Sequence, residues 1–236
     1  MQTSGPDIAT RIVGISSMAT RQVLADLAAA YMQCSGVEVS FESVGGVDAA
    51  KRLQAGEPFD VVVLAADAID KLVAAGCVVA DSKTDLMRSA VAIAVRAGAP
   101  RPDIGSEDML RRAVLAAHTL GYSTGPSGVA LMKLFERWGI AAMVRSRIVQ
   151  VPPGVPVGQL VASGEVELGF QQHSELMHLP GIDVLGTMPP GSEIVTTFSA
   201  GLCVASLQSE AVRALLGFMR SPAAAAAKRR QGMDPV

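Results

Sequence analysis

The sequence predicts an α/β chain of two doubly wound lobes with a ligand cleft between them, and three observations predict it. Strand-sized apolar runs alternate with segments of helical periodicity from Arg11 onward. Within FDVVVLAAD, Val61 to Ala66 is apolar without polar alternation, which marks a strand covered on both faces, hence parallel. The alternation restarts near Ala90 and ends in a late return strand. That order predicts residues 11–86 with 190–236 in one lobe and 88–187 in the other, the ligand lying at the carboxyl ends of the strands.

In chain order, Arg11 to Ile15 reads as a strand that stops at Ser16-Ser17. Met18 to Gln33 carries Val23, Leu24, Leu27, Ala28 and Tyr31 at helical spacing, with Gly36 as the terminating residue. Val37 to Phe41 alternates as a strand, Ala49 to Ala55 is helical, and the apolar strand through Val61 to Ala66 leads into a helix over Ala68 to Ala75. The second series has strands at Ala90 to Val95, Thr119 to Ser123, Ile148 to Val151 and Val166 to Phe170. Helices over Glu107 to Ala117, Val129 to Trp138 and Val157 to Ser163 alternate with them. Thr196 to Ala205 is the return strand, followed by helices from Ala211 to the basic Lys228-Arg229-Arg230, which suits a helix C-terminus.

Half the residues are hydrophobic and 18% are charged, which excludes a disordered chain. A net charge of −2 leaves no electrostatic footprint for nucleic acid, and no apolar run has the length of a membrane span. Asp7 and Arg11 interrupt what would be the apolar core of a secretory signal. The expected location is therefore cytoplasmic as the sequence stands, or periplasmic if a signal has been removed. Cys34, Cys77 and Cys203 fit no zinc or disulfide spacing and read as small buried hydrophobes. No metal or cofactor is expected.

Three strand-to-helix junctions concentrate Gly, Ser and Thr: Gly14 to Met18, Ser43 to Val47, and Ser123 to Gly128. Each offers backbone N–H groups at a helix start together with short hydroxyls, the combination that holds an anion without a lysine. One such junction is ordinary capping; three at the same sheet edge favour a small anionic ligand. Neither a P-loop lysine nor GxGxxG spacing is present, so a nucleotide is not expected. Arg21 falls in the first helical turn, placed to clamp a carboxylate. Gln171, Gln172 and His173 follow a strand at the same edge, and His173 is the candidate acid–base residue, with Ser16, Ser17 or Tyr122 as partners. His118 and His178 read as structural.

These segments, notably GISSMATRQVLADLAAAY, QAGEPFDVVVLAAD, YSTGPSGVAL and VASGEVELGF, resemble the molybdate-binding proteins of the type II periplasmic-binding-protein superfamily from about residue 11 onward. The resemblance implies a two-lobed ligand-closing fold, with a transporter partner only if the protein is exported. It also implies a ligand set: Ser16 or Ser17 after the first strand, and a residue within Ser43 to Val47, where Gly45 and Gly46 depart from the pattern. Ser127 in Pro126-Ser127-Gly128 and an amide near Val157 follow, and Gln172 stands where the family has a tyrosine. Met18, Arg21, Tyr122 and Thr124 complete the candidate ligand-binding set, and the expected ligand is a small anion, a di- or tricarboxylate or an oxyanion such as molybdate, with the TGPSG turn and Arg21 suiting a carboxylate better. One branch of the superfamily, proteins similar to aconitate isomerase, interconverts cis- and trans-aconitate on this fold, which makes isomerisation the alternative function.

Overall fold

A computed structural model describes residues 11–151 and 154–236. Residues 1–10, with the Asp7 that interrupts a secretory-signal pattern, and Pro152-Pro153 lie outside the described residues. The chain divides into two compact units, residues 1–86 with 199–227, and residues 87–198 with 228–236.

The first unit is built from strand–helix repeats. Strand β1 (Arg11–Ser17) leads through a single 3-10 turn into α1 (Arg21–Ser35). β2 (Glu38–Val44), α2 (Gly46–Gln54), β3 (Val61–Ala65) and α3 (Ala66–Ala74) follow. β1 lies between β2 and β3 and is parallel to both. All five residues of β3 are buried, as the unbroken apolar run requires. Val62 and Leu64 pack with Ile15, Leu53, Phe59, Ile69 and Leu72 in one core cluster. Gly36 ends α1 in the left-handed conformation (φ 73°), its N–H bonded to the Met32 carbonyl, a geometry that glycine adopts without steric cost.

The second unit opens with β4 (Thr84–Arg96), which begins in the first unit and runs six residues further toward the N-terminus than the pattern from Ala90 suggests. It continues through α4 (Glu107–Ala116), β5 (Leu120–Tyr122), α5 (Pro126–Arg137), α6 (Ala141–Val144), β6 (Ile148–Gln150) and α7 (Val157–Ser163). β7 (Leu168–Gln172), α8 (His173–Leu176), β8 (Ile182–Thr187) and the first half of β9 (Val195–Leu202) follow. β5 is parallel to β6 and β7, whereas β4 is antiparallel to β7 and β8, so this sheet is mixed rather than wholly parallel. Both faces are covered. Val91, Ile93 and Val95 pack with Phe135, Trp138 and Phe170, while Ala92 and Ala94 face Val157, Val161 and Leu176. Alternate residues of one strand thus enter two different cores, and the period-2 signal disappears.

After α9 (Ser209–Arg220) in the first unit, α10 (Ala225–Arg230) carries the chain back to the second, where β10 (Asp234–Pro235) pairs with Arg88 and Met87. The C-terminal residues expected beside the first lobe are therefore held by an edge of β4. Lys228 is buried rather than solvated, and desolvation lowers the pKa of its ammonium group. Of the cysteines only Cys203 is the buried hydrophobe expected, its thiol pushed up to about 12 by burial; Cys34 is exposed and Cys77 half-buried.

Asp60 fastens the first unit. Its carboxylate accepts the Val13 N–H (2.9 Å) and the Ser206 hydroxyl (2.6 Å), and its carbonyl accepts the Cys203 N–H (2.9 Å). Hydrogen bonds to a charged acceptor each contribute about 1.5–3 kcal/mol. Asp60→Ala is expected to cost at least that much in a urea titration, and an unchanged midpoint would contradict the role.

Candidate functional site

In the first unit the carboxyl ends of β1 and β2 lie side by side, with Ser16 opposite Ser43 in register. Their hydroxyls are 2.8 Å apart. Ser17 is the cap of the 3-10 turn at Met18: its Oγ accepts the Ala19 N–H (3.3 Å) and its carbonyl accepts the Thr20 hydroxyl (2.9 Å). Ser17 thus serves the local turn, and Ser16 pairs with the neighbouring strand. Arg21 opens α1, is exposed, and forms no ion pair among the described residues. It lines a groove of about 640 Å³ together with Leu24, Ala28, Phe41 and Ser43.

Gly45 precedes α2 and Gly46 is its first residue. Neither has a positive φ. A Cβ on Gly46 would meet only Leu64 at an ordinary 3.9 Å, and one on Gly45 only the Asp48 side chain. Folding therefore does not demand glycine at either position. What the glycines provide is a helix start without side chains of its own, where a ligand can approach the backbone closely at Gly46, while the Asp48 carboxylate lies beside Gly45. Glu42, next to Ser43, would oppose an anion. Arg52 holds it through two bonds (2.5 and 3.0 Å) and lowers its carboxyl pKa, also bonding Glu57.

In the second unit the carboxyl ends of β5, β6 and β7 form one edge. After β5, Ser123 and Ser127 bond through their hydroxyls (3.1 Å), Thr124 is exposed, and Pro126 begins α5. Gly128 is obligatory, because a Cβ there would sit 1.8 Å from the Ser123 carbonyl oxygen and 2.8 Å from the Tyr122 ring. Val157 is fully buried, so its side chain belongs to the core and only its backbone is available. The Gly158 N–H already donates to Gln171 Oε1 (3.3 Å), and Gln171 Nε2 donates to Glu175 (2.8 Å).

β7 runs to Gln172 rather than stopping at Phe170, so Gln171 and Gln172 are strand residues and His173 starts α8. Gln172 is buried and donates from Nε2 to Thr196 Oγ1 (2.8 Å). The His173 ring lies against Gly232, where an added Cβ would come within 2.8 Å of Nδ1. His118 bonds the Glu167 carboxylate and His178 bonds Gln231, as structural histidines do. Sequence reading placed Ser123 in its junction but missed Glu175 and Thr196, whose partners Gln171 and Gln172 no motif announces. Among the described residues no three His, Cys, Asp or Glu are grouped as metal ligands.

Residues 12–234 match the family described as bacterial extracellular solute-binding protein. The chain belongs to that family. It is 39% identical to an aconitate isomerase from Pseudomonas sp over 235 residues, spanning 96% of this chain and 88% of that protein. Among solved structures it is similar to the Azotobacter vinelandii periplasmic molybdate-binding protein (18% identity, TM-score 0.78, 94% of this chain and 98% of that one). It is also similar to the sulfate-binding protein SubI of Mycobacterium tuberculosis (19% identity, TM-score 0.79, 96% and 87%). These two show the fold, that of the periplasmic binding proteins, as the resemblance read from the sequence implies. Among the described residues no helix of this family member is long and apolar enough to cross a membrane.

Glu175 yields a pH prediction. Burial raises its carboxyl pKa from 4.5 to about 7, against a smaller lowering by the Gln171 hydrogen bond. The native state keeps a proton that the unfolded chain releases above about 4.5, so this group makes stability fall as pH rises toward about 7. Glu175→Gln is expected to match the parent at about pH 5 and exceed it at about pH 8 in denaturant titrations. Parallel pH profiles for the two proteins would contradict this.

Proposed function

We propose that this solute-binding protein takes a small anion of the di- or tricarboxylate class, using backbone N–H groups and hydroxyls at the carboxyl ends of its strands. The observation that carries the reading is the in-register Ser16–Ser43 hydroxyl pair beside the glycine helix start at Gly45-Gly46. Ser16 or Ser17, Met18, Ser43, Gly45 and Gly46 in the first unit are its proposed contacts, with Tyr122, Thr124, Ser127, Val157 and Gln172 in the second. Names of relatives support a small anion, molybdate and sulfate for the structural neighbours, and aconitate for the 39%-identical relative supports a tricarboxylate. Arg21 favours a planar carboxylate, which a guanidinium grips through two parallel bonds. A transporter partner belongs to this reading where the protein is exported; a cytoplasmic form would act alone.

Thermal shift with citrate, aconitate, molybdate and sulfate tests the ligand class, because a ligand bound only by the native state raises the melting temperature. The carboxylates are expected to stabilise most, and Arg21→Ala to lose about 2–5 kcal/mol of binding if the clamp is desolvated. Stabilisation by molybdate alone would refute the carboxylate assignment.

A second reading, isomerisation of aconitate, is favoured by the 39%-identical relative of that name. Moving the double bond requires an acid–base group within reach of the allylic carbon, and His173 is the proposed group. In that case His173→Ala is expected to lower turnover about 10²–10⁴-fold while titration calorimetry still detects binding. Intact turnover in the variant would remove His173 from the role, and a parent protein inert toward both isomers would remove the reading.

A further inference from the structure

Two buried side-chain atoms have no hydrogen-bond partner among the described residues, Ser89 Oγ and Gln172 Oε1. Ser89 is 1% exposed and Gln172 4%. A buried polar atom left unpaired destabilises the fold, so each such atom calls for a physical reason.

The two atoms belong to one place. β4 runs between β7 and β9, and Gln172 of β7 stands directly opposite Val91 of β4. The Gln172 side chain reaches Thr196 of β9, so it crosses β4 on the face that carries Val91. Ser89, two residues before Val91, shares that face. The Val91 N–H bonds the Ile194 carbonyl, and two residues further along the antiparallel pair Ser89 comes beside Thr196. Ser89, Gln172 and Thr196 therefore form one polar patch at the end of the sheet where Ser123 and Ser127 also lie.

Its hydrogen-bond chemistry is one-sided. With Nε2 donating to Thr196 Oγ1, the amide leaves an acceptor orphaned. Turning the amide end over end keeps the same contact, lets the Thr196 hydroxyl donate to Oε1, and leaves both amide hydrogens unpaired. That state satisfies the hydroxyl as well. It presents two N–H donors and the Ser89 O–H, with no charge on any of the three residues. Donors without an acceptor suit a group that only accepts.

We propose that Ser89 and Thr196, acting with Gln172, form a charge-free subsite for one carboxylate of the ligand. The Ser89 hydroxyl and the Gln172 amide donate to its two oxygens, and Thr196 positions the amide. The proposal rests on the carboxylate reading above and adds residues that neither the junction motifs nor Arg21 supply. Such a subsite lets a polyanion bind without stacking further cations in one place, and it leaves the free protein with unsatisfied atoms that the ligand satisfies.

Calorimetric titration of tricarballylate, citrate and glutarate into the parent, Ser89→Ala, Gln172→Met and Thr196→Val tests it, with melting temperatures of the ligand-free proteins alongside. Ser89→Ala and Gln172→Met are expected to weaken tricarballylate about tenfold each, the loss of one hydrogen bond to a charged group. The penalty should be smaller for glutarate, which lacks the third carboxylate. Because Ser89→Ala removes an unpaired buried atom and breaks no hydrogen bond, its ligand-free melting temperature should stay level or rise, whereas Gln172→Met also gives up the bond to Thr196. Thr196→Val should weaken binding and also lower the melting temperature, since it strips the amide of its partner. Penalties confined to citrate would show that the patch holds a hydroxyl and overturn the carboxylate assignment. A parent that binds the tricarboxylates while all three variants bind equally well overturns the subsite alone. A parent that binds none of the three acids removes the carboxylate reading and the subsite with it.

Discussion

The in-register parallel pairing of β1 with β2, from Arg11 opposite Glu38 to Ser17 opposite Val44, is the constraint on which the proposed contacts of the first unit depend. Parallel pairing brings the carboxyl ends of both strands to one edge, and the register sets Ser16 against Ser43 there. A slip of one residue would turn Ile15 out of the core and break the hydroxyl pair together. The same pairing fixes where the chain enters α1 and α2, and hence where the amides of Gly45-Gly46 and the Arg21 side chain stand. The core and the proposed contacts at this edge both depend on one hydrogen-bond ladder.

The second unit reaches a similar arrangement by a different route. Its parallel strands β5, β6 and β7 again gather their carboxyl ends, but the long strand β4 runs antiparallel to β7. That reversal lets residues near the start of β4 meet the end of β7, which a wholly parallel sheet would not allow. Gln172 is thereby drawn into a buried contact with Thr196, and Gln171 into a chain from the Gly158 amide to Glu175. Polar groups at the end of β7 are thus held by one another, apart from Gln172 Oε1, and side chains held in this way would lose less entropy on binding.

Much of the fold was legible because its signals are local. The unbroken apolar run of β3, the periodic face of α1 and the terminating Gly36 each announce themselves within a few residues. The serine and glycine junctions were equally visible, since capping chemistry sits in consecutive positions. What sequence could not give was pairing at a distance. Nothing around Ser43 says that Ser16 is its neighbour, and nothing near Thr196 says that Gln172 reaches it. The early start of β4 was hidden because Asp85, Arg88 and Ser89 break the apolar pattern, and β8 because its residues are only partly buried. The burial of Lys228 was hidden for the same reason: a short basic run reads as solvated until β10 returns to β4.

If anion binding resides in helix starts and hydroxyls, a bound acid must be found against them. The direct test is a crystal structure of the protein grown with aconitate. The account predicts a carboxylate at hydrogen-bond distance from the Ser16 and Ser43 hydroxyls and the amides at Gly45-Gly46, with the Arg21 guanidinium turned toward it. An acid bound away from the carboxyl ends of β1 and β2, with Ser16 and Ser43 still bonded only to each other, would contradict it.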